Sequence, residues 1–207
     1  TLNTIVECID KLRDTAASHK RINIVEVMGR LRGYLAVMSG LATGADRVFI
    51  GEEKITQNEL NAMLHALRES FVHGQNAGIV VRSEGASFST NYLKETIAGL
   101  LEPKREVRET VLGHLQRGGN PTAFERILAT RMGVKAIHRL GEKHAEPQMI
   151  GLIKSKIESF PLAACLKKIQ TPEFQKELSV GTQNAFHLSK VLEEPPVITS
   201  QGRRIGV

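Results

Sequence analysis

The chain has 207 residues, of which 41% are hydrophobic and 24% are charged, which is enough for one large globular domain or for one and a half small ones with an apolar core. A net charge of +6 favours an anionic partner, but the absence of Trp and the presence of only two Tyr argue against a nucleic-acid surface. No apolar run reaches membrane-spanning length and no signal peptide precedes the first helix, so we expect a cytoplasmic protein with no membrane contact. Cys8 and Cys165 lie in predicted helices and are expected to be reduced core residues.

Strand and helix patterns alternate along the chain. A helical pattern is already under way at Leu2, which suggests that the chain is a piece of a longer protein. Strands are predicted at 22–27, 47–50, 78–82, 108–112 and 149–153, with helices between them and a last helix at 162–169 after Pro161. This alternation predicts an α/β fold with a mainly parallel sheet and helices on both faces.

The segment 111–126 is the most informative motif. Its apolar strand ends at a turn that contains His114 and Arg117, and Gly118 and Gly119 allow the backbone to approach a ligand closely. A helix is predicted to begin at 120–122, with a capping residue and a proline. The turn could hold a phosphate between imidazole, guanidinium and helix start, or it could be a glycine-rich connection with solvated basic groups.

Ligands of open α/β sheets bind at the carboxyl ends of the strands, where the turns 28–30, 83–85 and 113–119 are predicted to lie. Arg21 and Arg108 stand at the opposite ends of their strands, about 20 Å away if the strands are straight. One small phosphate cannot reach both ends. If all these positions serve one ligand, a second subunit or a second half of the polypeptide must contribute two of them, as closed two-fold symmetry allows.

These residues resemble the 6-phosphofructokinase family over almost the whole chain. The resemblance rests on motifs that occur in the family's order and near its spacing: Leu2-Asn3-Thr4 with 9–16, Val25 to Arg30, Gly44-Ala45-Asp46, Glu84-Gly85, and Val111 to Arg126. It implies a phosphofructokinase-like fold that is incomplete at its N-terminus, with residues 1–172 as the part that binds fructose 6-phosphate.

The resemblance also implies site residues. Arg21 and Arg108 match arginines that a neighbouring subunit supplies to the 6-phosphate. Met28, Gly29 and Arg30 match the turn that lines the sugar. Glu84 matches the carboxylate that binds the sugar hydroxyls, and His114 to Arg117 match the remaining sugar-phosphate contacts.

A nucleotide effector site is the third implication. Arg13, Gly44 and Asp46 match positions that contribute to this site in bacterial members. The stretch 74–76 lacks the basic residues expected there, so effector binding of the bacterial type is in doubt, and Arg13 could simply be an exposed helical residue.

Family members transfer a phosphoryl group from ATP, or from pyrophosphate in one branch, to the C1 hydroxyl of fructose 6-phosphate with Mg²⁺. The groups that hold ATP and Mg²⁺, and the catalytic aspartate, lie upstream of Thr1 in the family. These 207 residues contain no Gly-Gly-Asp loop and no Asp-Asn-Asp run. We therefore expect no catalytic residue and no metal ligand in this segment, and weak sugar-phosphate binding without turnover.

The C-terminal region has a linker-like composition. From 173 the helical pattern weakens, and 193–202 is polar and contains two prolines, so 173–202 is predicted to be an extension and linker. Residues 203–207 resemble the first strand of a following phosphofructokinase half, which would make the parent a tandem enzyme. Other hypotheses are a non-catalytic regulatory half that binds a sugar-phosphate effector, and a basic nucleic-acid-binding domain.

Overall fold

The computed structural model describes residues 1–101, 105–142, 146–174, 182–183 and 185–186. The described residues form two compact units, one containing 1–117 with the residues described beyond 181, the other beginning at 118 and ending at 174. The elements of the first unit are α1 (Leu2–His19), β1 (Ile22–Val27), α2 (Tyr34–Thr43), β2 (Arg47–Phe49), α3 (Gln57–Val72), β3 (Gly78–Ser83), α4 (Thr90–Leu100), β4 (Val107–Val111) and a 3₁₀ turn, Gly113–Gln116, called here the histidine turn. The second unit contains α5 (Ala123–Leu140), β5 (Gln148–Ile153), β6 (Lys156–Pro161) and α6 (Leu162–Ile169).

The first unit is built on a parallel sheet with the strand order β2-β3-β1-β4. Asn23 of β1 lies opposite Arg108 of β4, and Glu26 of β1 lies opposite Arg82 of β3. All four strands therefore end at the same side of the sheet, called here the carboxyl edge, and begin at the other side, the amino edge. This confirms the predicted parallel α/β architecture.

Helices cover both faces of this sheet because its two central strands are apolar on both sides. On one face, α1 and α2 pack with a buried cluster that includes Ile9, Val25 and Val81. On the other face, α3 and α4 pack with a cluster that includes Ile24, Leu64 and Ile97. β3 is buried along its whole length and β1 at every residue except the half-buried Glu26, and this burial holds the turns at their carboxyl ends in position.

A capping box starts α3. The Thr56 hydroxyl accepts a hydrogen bond from the Glu59 N–H at 3.3 Å, and the Glu59 carboxylate accepts one from the Thr56 N–H at 2.8 Å. We expect Thr56→Ala to lower the free energy of unfolding by about 1 kcal/mol, measured by chemical denaturation. Thr56→Ser keeps the hydroxyl and should unfold like the unmodified chain, and an equal loss in both variants would contradict this role for the cap.

The second unit corrects one part of the predicted fold. The predicted strand 149–153 exists as β5, but it pairs antiparallel with β6 in a separate two-stranded sheet, and β6 was not predicted. The two strands are joined by Lys154 and Ser155, which have φ values of 46° and 67°. Such a tight turn favours Gly, Asn or Asp, so these two residues gave no hairpin signal. The predicted helix 162–169 is confirmed as α6.

The start of α5 is also corrected. Thr122, and not Asn120, is the N-cap, because its hydroxyl accepts from the Glu125 N–H at 3.3 Å while the Glu125 carboxylate accepts from the Thr122 N–H. Pro121 therefore precedes the helix instead of lying in its first turn. Gly118 and Gly119 have φ values of 82° and 78°, the left-handed conformation that the glycine pair predicted.

Three further predictions concern the cysteines, the C-terminal region and membrane contact. Cys8 and Cys165 are free, as predicted. Both are half-buried, whereas the prediction placed them in the core. Most of the predicted linker 173–202 and all of 203–207 lie outside the described residues. None of the helices in the described ranges is long and apolar enough to cross a bilayer.

Candidate functional site

The turn 28–30 follows β1 at the carboxyl edge and is held by side chains from two other turns. The Met28 N–H donates to Gln116 Oε1 at 2.7 Å. The Gly29 N–H donates to Glu84 Oε1 at 3.0 Å, and the Arg30 N–H donates to the same oxygen. All three backbone N–H groups of the turn are thus bound by neighbouring side chains, which fixes the backbone beside the end of β1.

Glu84 lies at the end of β3 and is the carboxylate of this group. The backbone N–H groups of Gly29 and Arg30 lower the pKa of its carboxyl group, and the positive charges of Arg30 and Arg117 lower it further. The side chain is therefore ionised at neutral pH. An ionised carboxylate held in place by backbone donors is a suitable acceptor for the hydroxyl groups of a sugar.

Glycine at two positions lets the turns lie close together. A Cβ atom on Gly29 would meet the carbonyl oxygen of Arg32 at 2.3 Å, and one on Gly85 would meet the carbonyl oxygen of Arg30 at 2.3 Å. Because backbone atoms cannot move away as a flexible side chain can, a larger residue at 85 would push the 83–85 turn away from the 28–30 turn, and one at 29 would distort the turn that Gly29 and Arg32 form.

A cleft of about 210 Å³ lies between these turns. It contains most of the predicted carboxyl-edge residues, since the structure brings Met28, Gly29, Arg30, Glu84 and Arg117 together as predicted from the strand ends. His114 is exposed in the neighbouring histidine turn but does not line the cleft. The lining residues are Thr1, Met28, Gly29, Arg30, Leu35, Glu84, Gln116 and Arg117.

The two arginines predicted at the amino edge share one carboxylate. Arg21 Nε lies 2.5 Å from Glu106 Oε2, and Arg108 forms an ion pair with the other oxygen of Glu106. Although burial raises the pKa of the Glu106 carboxyl group, the hydrogen bonds from Arg108 and Arg21 give a net lowering. This cluster lies at the opposite ends of β1 and β4 from the 28–30 turn and His114, as predicted.

The three residues matched to an effector site make hydrogen bonds within the first unit. The Arg13 guanidinium donates to the backbone carbonyl groups of Thr43 and Gly44, which end α2. Asp46 accepts from the Ile79 N–H at 2.7 Å and from Gln75 Nε2 at 2.5 Å. The structure thus joins Arg13 to Gly44, and it gives Arg13 and Asp46 bonds that stabilise the fold without any ligand.

The burial of two polar side chains at the carboxyl edge was not predicted from the sequence. Gln116 is 1% exposed and binds the Met28 N–H, while its Nε2 has no hydrogen-bond partner. Arg82 is 6% exposed and forms an ion pair with Glu26 on the neighbouring strand at 2.7 Å. For Arg82 the available signal was that the apolar strands β1 and β3 each contain one charged residue, Glu26 and Arg82. Charged residues in buried strands are normally paired with an opposite charge.

Magnesium ligands are not clustered in the described part of the chain. No group of three or more His, Cys, Asp or Glu side chains there could hold a metal ion. Mg²⁺ is held mainly by carboxylates, phosphates and water, and the cleft lining contains Glu84 as its one carboxylate. Because Arg30 and Arg117 lie beside that carboxylate, the cleft is suited to binding a polar, anionic ligand.

Comparison with known proteins shows a consistent similarity. The phosphofructokinase family model matches residues 1–140. The chain is 38% identical over 191 residues to an ATP-dependent 6-phosphofructokinase of Clostridioides difficile, covering 92% of this chain and 55% of that protein. It is 42% identical over 159 residues to an ATP-dependent 6-phosphofructokinase of Clostridium acetobutylicum, covering 76% of this chain and 47% of that protein. The chain thus spans about half the length of these relatives.

Solved structures show the same similarity. Phosphofructokinase from Saccharomyces cerevisiae matches with a TM-score of 0.74 and 31% identity, over 92% of this chain and 25% of the yeast chain. Phosphofructokinase from Pichia pastoris in the T-state matches with a TM-score of 0.70 and 34% identity, over 93% of this chain and 22% of the Pichia chain.

Proposed function

Because the chain belongs to the phosphofructokinase family, we propose that it supplies the sugar-phosphate site of an ATP-dependent 6-phosphofructokinase. That enzyme transfers the terminal phosphoryl group of ATP to the C1 hydroxyl of fructose 6-phosphate and forms fructose 1,6-bisphosphate. The observation that supports this most is the cleft in which Glu84, Arg30 and Arg117 meet a turn whose backbone is fixed by side-chain acceptors. The combination offers a carboxylate for hydroxyl groups and guanidinium groups for a phosphate.

The proposed site is shared between two polypeptide halves. Met28, Gly29, Arg30 and Glu84 hold the sugar, while His114 and Arg117 contribute further contacts from the same edge. Arg21 and Arg108 bind the 6-phosphate in a neighbouring site, because they lie at the far ends of their own strands. The partner is a second copy of the chain or a homologous tandem half, and two-fold symmetry would create two equivalent sites.

The residues of this chain position the acceptor and do not perform the chemistry. Phosphoryl transfer depends on in-line positioning and on neutralising the charge of the transferred group. Mg²⁺ supplies part of that neutralisation when it is bound with ATP, and we assign both binding sites and the catalytic aspartate to sequence outside this segment. The cleft residues fix the sugar so that its C1 hydroxyl has one orientation.

Calorimetric titration of the 207-residue chain tests this function. We expect fructose 6-phosphate to bind with a Kd of about 1 mM, fructose to bind more weakly, and a coupled assay with ATP and Mg²⁺ to give no turnover. Equal binding of fructose and fructose 6-phosphate would overturn the contacts that His114 and Arg117 make with the phosphate from the same edge. Turnover by this chain alone would overturn the assignment of catalysis to other sequence.

A regulatory half is the second hypothesis, because it too would bind a sugar phosphate. Retention of Arg21, Glu84, Arg108, His114 and Arg117 together favours the catalytic type, since a purely regulatory half could lose any of them. The bacterial type of effector site at Arg13, Gly44 and Asp46 stays a prediction. The family and the two free cysteines favour a cytoplasmic location.

His114 provides a more limited test of the sugar-phosphate contacts. In the intact enzyme, His114→Ala should raise the KM for fructose 6-phosphate about tenfold, the loss of one hydrogen bond to a charged group, and leave the KM for ATP nearly unchanged. Steady-state kinetics with each substrate varied in turn measures both constants. His138→Ala is the control, because His138 lies on α5 in the other unit, and it should leave the KM for fructose 6-phosphate unchanged. An unchanged KM in His114→Ala as well would count against the role of His114.

A further inference from the structure

Arg82 is a buried cation at the end of a strand in which every residue is buried. Its side chain is 7% exposed and lies on β3 directly opposite Glu26 of β1, with Nη1 of Arg82 2.7 Å from Glu26 Oε2. The Thr90 hydroxyl donates to the same carboxylate oxygen. A buried guanidinium needs both a counter-charge and acceptors for its other donors, so the remaining partners of Arg82 show what it supports.

Those remaining partners all lie in the loop that joins β3 to α4. Arg82 Nε donates to the carbonyl oxygen of Phe88 at 2.6 Å. Arg82 Nη2 donates to the carbonyl oxygens of Ala86 at 3.2 Å and of Glu84 at 3.4 Å. One planar side chain thus binds three carbonyl groups of this loop and ties them to the central strand through Glu26.

The same loop contains the carboxylate of the candidate site. Glu84 receives the N–H groups of Gly29 and Arg30, and Gly85 lies against the carbonyl oxygen of Arg30 with no room for a Cβ atom. A small shift of the loop would therefore move Glu84 away from its donors. The loop is also held by the Glu84 N–H, which donates to the Val27 carbonyl oxygen at 2.9 Å, and by Ala86 and Phe88, which pack against the apolar cluster of α3 and α4. Arg82 adds the side-chain bonds that join the Glu84, Ala86 and Phe88 carbonyl groups to one another and to Glu26.

We propose that Arg82 is a positioning residue that holds Glu84 against the 28–30 turn and thereby tunes recognition of the acceptor sugar. Its effect on the sugar rests on the proposed function, whereas its effect on Glu84 does not. Lysine cannot replace it, because a single ammonium group cannot reach Glu26 and three separate carbonyl groups with the fixed fork of a guanidinium.

Amide hydrogen exchange tests the positioning role without any ligand. In Arg82→Lys we expect exchange of the Gly29 and Arg30 amides to speed up about tenfold, while amides in the centre of β1 stay protected. Arg47→Lys is the matched control, since Arg47 is a buried arginine of the neighbouring strand whose guanidinium binds the carbonyl group of Asp46. Unchanged exchange at Gly29 and Arg30 in folded Arg82→Lys would overturn the proposal.

A second variant covers the case in which Arg82→Lys does not fold. Thr90→Val removes only the hydroxyl bond to Glu26 and keeps the ion pair, so it should produce a smaller acceleration at the same two amides. Protection equal to that of the unmodified chain would overturn the proposal there as well.

Steady-state kinetics of the intact enzyme then tests the effect on the sugar. Arg82→Lys should raise the KM for fructose 6-phosphate about tenfold in the unmodified background and have no effect in Glu84→Gln, because Arg82 acts through Glu84. Equal effects in both backgrounds would show a general structural role and overturn the proposal. If the unmodified chain does not bind fructose 6-phosphate, the proposed function and the sugar part of the inference fail, while the exchange result still decides whether Arg82 positions Glu84.

Discussion

Arg21→Ala in the intact enzyme should raise the KM for fructose 6-phosphate about 10- to 100-fold, because a charge-assisted contact to the phosphate is worth about 1.5 to 3 kcal/mol. Arg21 lies at the amino edge, remote from the cleft of its own sheet, so nothing in the cleft residues alone predicts this effect. The loss should appear in KM and leave kcat largely unchanged, since the phosphate is distant from the reacting hydroxyl.

The matched control for Arg21 is Lys94, a cation paired with Glu109 on the same edge strand as Arg108. Lys94→Ala removes one positive charge close to β4 and should leave the KM for fructose 6-phosphate unchanged. If both variants raise KM equally, the effect reflects general electrostatic attraction, and the specific role of Arg21 fails.

Glu84→Gln should weaken fructose 6-phosphate binding by a similar factor of about 10 to 100. The substitution keeps the shape of the side chain and one acceptor oxygen, but it removes the negative charge that strengthens the bonds from the Gly29 and Arg30 N–H groups and, in our proposal, from the sugar hydroxyls. Glu52→Gln is the control, because Glu52 also accepts a backbone N–H, from Gly33 at 2.8 Å, but does not line the cleft. A loss of affinity in Glu52→Gln equal to that in Glu84→Gln would contradict the assignment.

The pH dependence of the 28–30 turn follows from the lowered pKa of Glu84. A carboxyl group whose pKa is lower in the folded chain stabilises the fold above its unfolded pKa, about 4.3, and loses that contribution as pH falls through the folded value. NMR titration should therefore show the Gly29 and Arg30 amide resonances shifting together, with a midpoint below about 4.3. A midpoint above that value would contradict the bonds from these two amides to an ionised Glu84.

Much of the first unit was predictable because local pattern and tertiary environment agree there. Strands β1 and β3 each contain Ile and Val residues that are buried on both faces, so their positions and parallel pairing followed from alternation with helices. The meeting of the 28–30 turn with Glu84 and Arg117 followed from the same argument, because parallel strands end at one edge.

What could not be predicted depended on side-chain partners or on unusual turn residues. The β5–β6 hairpin turns on Lys154 and Ser155, which do not favour left-handed backbone. Gln116 and Arg82 are polar residues whose burial depends on the Met28 N–H and on Glu26, partners 88 and 56 residues away along the chain. Pattern reasoning detects repeated apolar spacing, and it does not detect a single long-range polar contact.

A crystal structure of the assembled enzyme with fructose 6-phosphate tests the shared site most directly. We expect the sugar to lie in the cleft beside Glu84 and its phosphate to contact Arg21 and Arg108 of a second copy or a homologous half. A complex in which one sheet edge supplies every phosphate contact, with Arg21 and Arg108 facing solvent, would contradict the shared site.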